Sequence, residues 1–142
     1  MRSKQRDATR EHIIKAAMDA IAESGYEGVS TRAIAARAGV AQGLLTYHFK
    51  SKDALWQAAA DFIFAKLDAR RELAQTSPAA QSPQELRRET IRQLVMFGAE
   101  RPEMLRFMMD VGAKDQRADW LVETHLRRIY QRFCNDMDGR ER

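Results

Sequence analysis

Hydrophobic residues recur along this chain with a spacing close to 3.6 residues, the period of an α-helix that buries one face. We find no convincing segment that alternates apolar and polar residues as a half-buried strand does. The pattern therefore predicts an all-α protein. The first predicted helix begins at about Asp7 or Thr9 and ends at Ser24, because Gly25 is a natural helix stop.

Capping residues and glycines delimit three further helices. Ser30 can accept hydrogen bonds from the free amides of a helix over roughly residues 31–38, and Gly39 ends that helix. A short third helix is predicted over about residues 42–48. Ser51 then caps a long fourth helix.

Two prolines within residues 75–83 interrupt the helical pattern, so this segment is predicted to be a connector. A fifth helix is expected over about residues 83–100 and a sixth over about 102–111, since Pro is favoured in the first turn of a helix. The last helix is predicted near residues 116–137. Four positions of the fifth helix are predicted to face inward: Leu86, Thr90, Leu94 and Phe97.

Positive charge is concentrated in the N-terminal part of the chain. The chain has 142 residues, 44% of them hydrophobic, so a compact core is expected. The formal net charge is +4, and residues 1–55 carry nine Lys and Arg against six Asp and Glu. The N-terminus concentrates four basic residues: Arg2, Lys4, Arg6 and Arg10. Such a run is often only a solvated, frayed tail; the alternative is a flexible arm that contacts an anionic partner.

The sequence offers no reactive or metal-binding set. The three histidines, His12, His48 and His125, are far apart and have no carboxylate or cysteine at metal-ligand spacing. The single cysteine, Cys134, excludes an internal disulfide and a cysteine-rich zinc site, which fits a reducing cytoplasm. No apolar segment is long enough for a signal peptide or a membrane span. We expect neither enzymatic activity nor a cofactor, a metal or a membrane partner.

The second and third predicted helices are separated by a short turn, as in a helix-turn-helix. Two helices that cross steeply need a small residue at their contact and a turn that tolerates an unusual backbone angle, and Ala35 and Gly39 meet these needs. Four apolar residues have the spacing to fill the wedge between the helices: Ile34, Val40, Leu45 and Phe49. The other positions of the third helix then face away from this core: Gln42, Gly43, Leu44, Thr46 and Tyr47.

Three adjacent motifs make this pattern specific. The lead-in, G-Y/F-x-G-x-S/T, lies at residues 25–30; the turn, I-A-x-x-A-G-V, at residues 34–40; and the close, Y-x-F-x-S-K-x-x-L, at residues 47–55. With the preceding helix, these motifs resemble the TetR family of bacterial transcriptional repressors over about residues 8–56. The remainder resembles the family only in its helical pattern and in a P-E-x-x-R-F segment at residues 102–107.

This resemblance implies that the third helix enters the major groove of DNA, where base edges present distinguishable hydrogen-bond patterns. Gln42 is then expected to bond to adenine or guanine, Thr46 to meet a base through its hydroxyl or methyl group, and Gly43 to permit close approach. By the family's pattern, side chains after Thr46 and at the helix starts reach phosphates. The residues assigned to DNA binding are Thr31, Gln42, Gly43, Leu44, Thr46, Tyr47, His48, Lys50 and Lys52.

Each of these side chains also has an ordinary structural explanation. Lys52 is equally consistent with a solvated helix start, Tyr47 with a half-buried packing group, and His48 with a surface histidine. The sequence departs from the family at two positions: Leu44 stands where a small or hydroxyl residue is common, and Thr46 where an aromatic residue is common. Of the properties that the resemblance implies, the choice of DNA bases is therefore the one that carries over least from the family to this chain.

The resemblance further implies a head, residues 1–55, that binds DNA, and a body, residues 56–142, that binds a small apolar ligand and dimerises. The body contains an aromatic and methionine-rich set suited to such a pocket: Phe62, Phe97, Met104, Phe107, Met108, Trp120 and Tyr130. Any small helical core would contain the same residues. Members usually continue for about two further helices that pair between subunits. This chain is thus expected to be a natural short form, a fragment, or a protein whose last helix makes that contact.

Together these features predict a cytoplasmic, homodimeric repressor that joins the bacterial nucleoid by binding a palindromic operator and leaves it when a small ligand binds. Two alternatives remain open. One is a shortened or partner-dependent family member that forms mixed dimers or sequesters a ligand without binding DNA alone. The other is an enzyme, for which the sequence offers no reactive set.

Overall fold

A computed structural model describes residues 1–112 and 115–138. All regular elements within these ranges are helical, which confirms the predicted all-α class. In chain order they are α1 (Arg2–Ser24), α2 (Thr31–Ala38), α3 (Gln42–His48), α4 (Lys52–Gln75), α5 (Pro83–Glu100), α6 (Pro102–Met109), α7 (Gln116–Leu121), a π-helical turn (Val122–Leu126) and α8 (Arg127–Asp138). Among the described residues, no helix is both long and apolar enough to cross a membrane.

Helices α2 and α3 begin and end, and α4 begins, at the residues that the sequence indicates. Ser30 Oγ accepts a hydrogen bond from the Ala33 amide at 3.1 Å, and Ser51 Oγ accepts one from the Ala54 amide at 3.0 Å. Gly39 ends α2 in the left-handed region, at φ 66°. A side chain in that conformation would cost about 1–2 kcal/mol, so glycine sets the turn between α2 and α3. The predicted bounds of α2, α3 and α5 are confirmed.

The first helix is longer than predicted. It begins at Arg2, so the basic residues expected to form a flexible arm or a frayed tail lie on a helix. Residues 2–10 contain neither Gly nor Pro, and adding a turn to an anchored helix is far easier than starting one. The prediction of a flexible arm was therefore wrong.

The last predicted helix, near residues 116–137, is interrupted by the π-helical turn at residues 122–126. His125, in this turn, is buried; its Nε2 lies 2.7 Å from Asp61 Oδ1 and its ring stacks on Phe64 with centroids 4.1 Å apart. A π-helical turn inserts one extra residue into the helix and reorients the side chains that follow. These contacts hold the turn against α4. Helix α6 also ends earlier than predicted, at Met109.

The head and the body meet along α4, which packs against both α1 and α5, while α6 packs against α1. Leu55 and Trp56 are both fully buried, although the predicted division between head and body falls between them. Trp56 stacks on Phe107 of α6 with ring centroids 5.5 Å apart and meets Trp120 of α7 edge-on at 5.8 Å. The two parts therefore share one hydrophobic core.

One face of α5 differs from the prediction. Phe97 is buried and Leu86 and Thr90 are half-buried, but Leu94, predicted to face inward, is 44% exposed. The apolar positions of this helix cover more of its circumference than the described part of the chain contacts. We call the exposed part the α5 apolar face; it consists of Ile91, Leu94, Val95 and Met96.

Candidate nucleic-acid interface

Helix α3 has one buried side and one exposed side. Leu45 is buried against α2, and Phe49, just beyond the helix, is also buried, as the sequence predicts. Tyr47 is 67% exposed and Leu44 is 40% exposed. The residues of α3 assigned to DNA binding all lie on its outer side: Gln42, Gly43, Leu44, Thr46 and Tyr47, which are exposed, and His48, which is half-buried.

The hydroxyl group of Thr46 is already engaged within α3. Its Oγ1 donates a hydrogen bond to the carbonyl oxygen of Gln42 at 3.0 Å. Thr46 therefore offers a partner the acceptor lone pairs of its hydroxyl and its methyl group. This geometry narrows the expected role to accepting a hydrogen bond from a base amino group or packing against a thymine methyl group.

The helical N-terminal extension lies beside the end of α3. The Arg6 guanidinium is 5.7 Å from the centroid of the Tyr47 ring, and the Arg10 guanidinium is 5.1 Å from that of Phe49. Burial, and then the positive charges of these two arginines, hold the pKa of His48 below its usual range. His48 is therefore neutral at physiological pH, so it would meet a phosphate as a hydrogen-bond donor rather than as a cation.

Sequence reasoning missed the contacts of Arg6 and Arg10 because it began the first helix at Asp7 or Thr9 and interpreted the basic N-terminus as a frayed tail or a flexible arm. Their spacing of four residues was the available signal, since residues four apart share one face of a helix. The structure therefore places two cations beside the end of α3.

A concave surface of about 670 Å³ lies between the starts of α2 and α4. It brings together four of the residues assigned to DNA binding: Thr31, Thr46, Lys50 and Lys52. Free amides at helix N-termini and lysine ammonium groups both favour an anion. This surface, which we call the anion-binding surface, is suited to a phosphate group next to α3.

Tyr26 positions the start of α4. The Lys52 Nζ lies 4.1 Å from the centroid of the Tyr26 ring, and the Tyr26 hydroxyl donates a hydrogen bond to Asp53. Burial, followed by the hydrogen bond to Asp53, raises the pKa of Tyr26, so the phenol remains a neutral donor. The lysine assigned to a phosphate contact is thus held in place by the lead-in motif.

Tyr26 also connects the head to the body. Its amide donates a hydrogen bond to Asp110 Oδ2 at 2.9 Å, and the Arg117 guanidinium lies 4.0 Å from its ring centroid. The Arg117 side chain, only 10% exposed, donates to Asp115 Oδ2 at 2.8 Å and to Asp110 Oδ2 at 3.4 Å. We call these four residues the head–body junction. Periodicity cannot reveal such a contact, because Tyr26 and Arg117 are distant in sequence.

The seven residues assigned to a ligand pocket do not share one cavity. Phe62, Phe97 and Met104 line a groove of about 230 Å³ between α1, α4, α5 and α6. Trp120 lines a separate cavity of about 390 Å³ at the head–body junction. The other three lie elsewhere: Phe107 buried in the shared core, Met108 partly buried against it, and Tyr130 exposed on α8.

Comparison with known proteins finds a family match in the N-terminal part of the chain. A family model described as bacterial regulatory proteins, tetR family, matches residues 13–59. This match covers 47 of the 142 residues, which we call the tetR-family region. The tetR-family region includes the second half of α1, all of α2 and α3 and the start of α4, and therefore the anion-binding surface. The resemblance found from the three motifs is confirmed.

Curated relatives match a short part of the chain, of 52–57 residues. The tetracycline repressor protein class A from transposon 1721 of Escherichia coli is 43% identical over 54 residues, which are 38% of this chain and 25% of that protein. The class D tetracycline repressor protein of Escherichia coli is 40% identical over 57 residues, which are 40% of this chain and 26% of that protein. The chain therefore matches about a quarter of the length of these relatives.

A solved structure supports the fold beyond the tetR-family region. A tetR-family transcription regulator from Shewanella sp. PV-4 superposes with a TM-score of 0.56 at 23% sequence identity. The match covers 70% of this chain and 52% of that chain. The shared fold is thus larger than the region in which sequence similarity is detected.

Proposed function

We propose that this protein is a transcriptional repressor that binds duplex DNA through the outer side of α3 and the anion-binding surface. The observation that carries the proposal is their adjacency: uncharged hydrogen-bonding side chains on α3 lie next to the N-termini of α2 and α4, and two lysines flank the second of these. An α-helix fits the major groove, and cations and amides at its flanks fix its register on the sugar–phosphate backbone.

Different residues carry recognition and affinity in this proposal. Gln42, exposed in the first turn of α3, bonds to a base edge, and Thr46 contacts a neighbouring base. Thr31, Lys50 and Lys52 hold phosphates, together with Tyr47 and His48 at the end of α3. Leu44 and Gly43 complete the surface that enters the groove. Two cations on α1, Arg6 and Arg10, add positive charge beside it.

Substituting Gln42 and Lys52 separates these roles. Gln42→Ala is expected to cost about 1–3 kcal/mol of binding free energy on the preferred DNA site and little on random DNA. Lys52→Ala is expected to weaken binding to both duplexes and to reduce the slope of log affinity against log salt by about one unit. Fluorescence anisotropy with labelled duplexes over a range of salt concentrations measures both effects.

Gln84→Ala is the matched control, because Gln84 is exposed on α5, away from α3. Its affinities should equal those of the unsubstituted protein. If Gln42→Ala and Lys52→Ala both reduced binding equally on preferred and random DNA, this division of roles would be wrong.

Gly43→Ala is expected to change stability and DNA affinity in opposite directions. A Cβ atom built at Gly43 meets no atom within 4 Å, so alanine should raise the free energy of unfolding by up to about 1 kcal/mol. The same methyl group would hold the backbone of α3 away from the bases and lower DNA affinity. Urea denaturation and anisotropy test the two effects, and unchanged affinity would show that α3 does not approach DNA closely at this residue.

The proposal extends to a homodimer on a palindromic operator. Contiguous exposed apolar side chains often mark an interaction site, and the α5 apolar face has this character. Two heads related by a two-fold axis would read half-sites about 34–36 Å apart. A small ligand bound in the body would release the operator by favouring a state in which the heads no longer match this spacing. Such a repressor, without an enzymatic role, would act on the nucleoid in the bacterial cytoplasm.

A further inference from the structure

The groove between α1, α4, α5 and α6 has an apolar floor and a basic rim. Phe97 and Met104 are buried at its floor, and Phe62 is half-buried at its edge. Four cationic side chains line it, against one carboxylate, that of Glu100: Lys15, Lys66, Arg70 and Arg101. The groove therefore combines apolar surface with net positive charge.

The two lysines converge on one aromatic ring. Lys15 Nζ, from α1, lies 5.9 Å from the centroid of Phe62, and Lys66 Nζ, from α4, lies 5.1 Å from the same centroid. We call Lys15 and Lys66 the lysine pair. Both ammonium groups lie beside the same ring, so an anion placed at that ring between them would be stabilised by both.

Acidic side chains around the rim only partly offset this charge. Glu11 Oε1 lies 2.9 Å from Lys15 Nζ, and Glu100 is paired with Arg70. Glu103 lies 4.0 Å from Arg101. The pKa of Glu11 lies below its usual range, mainly because of its contact with Lys15 and more weakly because of the charge of Lys66. Glu11 is therefore in a positive potential.

We propose that this groove binds a small apolar monoanion, a carboxylate with a short acyl or aryl tail. The carboxylate lies at the lysine pair, and the tail covers Phe97 and Met104. Apolar contact with a few placed charges is the usual composition of a small-molecule site. The volume of about 230 Å³ is below the ~300 Å³ typical of drug-sized ligands, which restricts the tail to a short one.

The two lysines come from different parts of the chain, since Lys15 lies on α1 in the head and Lys66 on the part of α4 within the body. A carboxylate held by both would change the balance of contacts between α1 and α4. A resulting change in operator affinity rests on the proposed function, whereas binding of the anion does not.

Isothermal titration calorimetry of the full chain with sodium octanoate tests this site, with octylammonium and 1-octanol as matched probes of opposite and zero charge. Octanoate should bind saturably with a 1:1 stoichiometry, and octylammonium should not. Lys66→Ala should weaken octanoate binding about tenfold, the value of one charge-assisted hydrogen bond. Lys66→Arg should retain most of the affinity. Arg88→Ala, at an exposed position of α5 that does not line the groove, should change nothing.

Three results would overturn the site: no saturable octanoate binding, equal binding of octanoate and octylammonium, or full affinity in Lys66→Ala. Lys15→Ala provides a second variant if Lys66→Ala does not fold, as judged by circular dichroism, and full affinity in Lys15→Ala would equally overturn the site. DNA binding measured on the same preparation separates the two proposals. Octanoate binding without DNA binding would overturn the proposed function alone, and DNA binding without octanoate binding would overturn the groove alone.

Discussion

Trp56→Ala is expected to lower the free energy of unfolding by about 3–5 kcal/mol, the usual cost of removing a large buried aromatic side chain. Trp56 is fully buried and contacts Phe107 and Trp120 from two different helices of the body. Its indole N–H has no hydrogen-bond partner among the described residues, so the loss is one of packing. Because the head and the body share this core, both should lose stability together.

Urea denaturation followed by circular dichroism at 222 nm measures this loss. Trp120→Ala is the control, because Trp120 is only half-buried and should cost less. A single cooperative transition shifted to lower urea concentration is the expected result. A head that unfolds at an unchanged urea concentration while the body unfolds earlier would contradict a shared core.

Arg117→Ala is expected to lower the free energy of unfolding by about 2 kcal/mol, less than the 3–5 kcal/mol of a fully buried pair because solvent reaches its carboxylate partners. The substitution leaves Asp110 and Asp115 without the guanidinium and removes its contact with Tyr26. Tyr26 holds Lys52 at the start of α4. DNA affinity should therefore fall as well, although Arg117 lies outside the proposed interface.

Hydrogen exchange measures most specifically whether Arg117 holds the lead-in segment, residues 25–30, in place. Amides of residues 25–30 should exchange faster in Arg117→Ala, because the junction no longer holds the lead-in segment. Arg127→Ala is the matched control: it removes an exposed pair with Glu123 and should cost less than about 0.5 kcal/mol. Unchanged exchange in residues 25–30 together with unchanged DNA affinity would contradict a positioning role for Arg117.

The sequence predicts α2, α3 and the start of α4 well because local residues determine these elements. Ser30 and Ser51 start α2 and α4, and Gly39 ends α2 with a backbone angle that other residues adopt at a cost. The buried and exposed sides of α3 follow from the spacing of Leu45 and Phe49. The exposure of the residues assigned to DNA binding was therefore predictable, while their roles stay predictions.

Features that depend on long-range contacts were not predictable in this way. The π-helical turn is held by contacts of His125 with Asp61 and Phe64 of α4. The exposure of Leu94 depends on which elements pack against α5, and periodicity alone reports only that a residue is apolar. The head–body junction joins residues far apart in sequence. Likewise, the aromatic and methionine residues of the body did not reveal which three of them line one groove with basic side chains.

The central claim is that α3 and the anion-binding surface read duplex DNA. Selection from a pool of randomised duplexes on the purified 142-residue chain, at near-physiological salt and followed by sequencing, tests it most directly. We expect enrichment of a palindrome whose half-sites lie about one helical turn apart, and loss of that enrichment in Gln42→Ala. A single enriched half-site would keep the reading role of α3 but contradict the homodimer. No enrichment above a salt-sensitive background would contradict the claim and favour a chain that binds DNA only with a partner, or not at all.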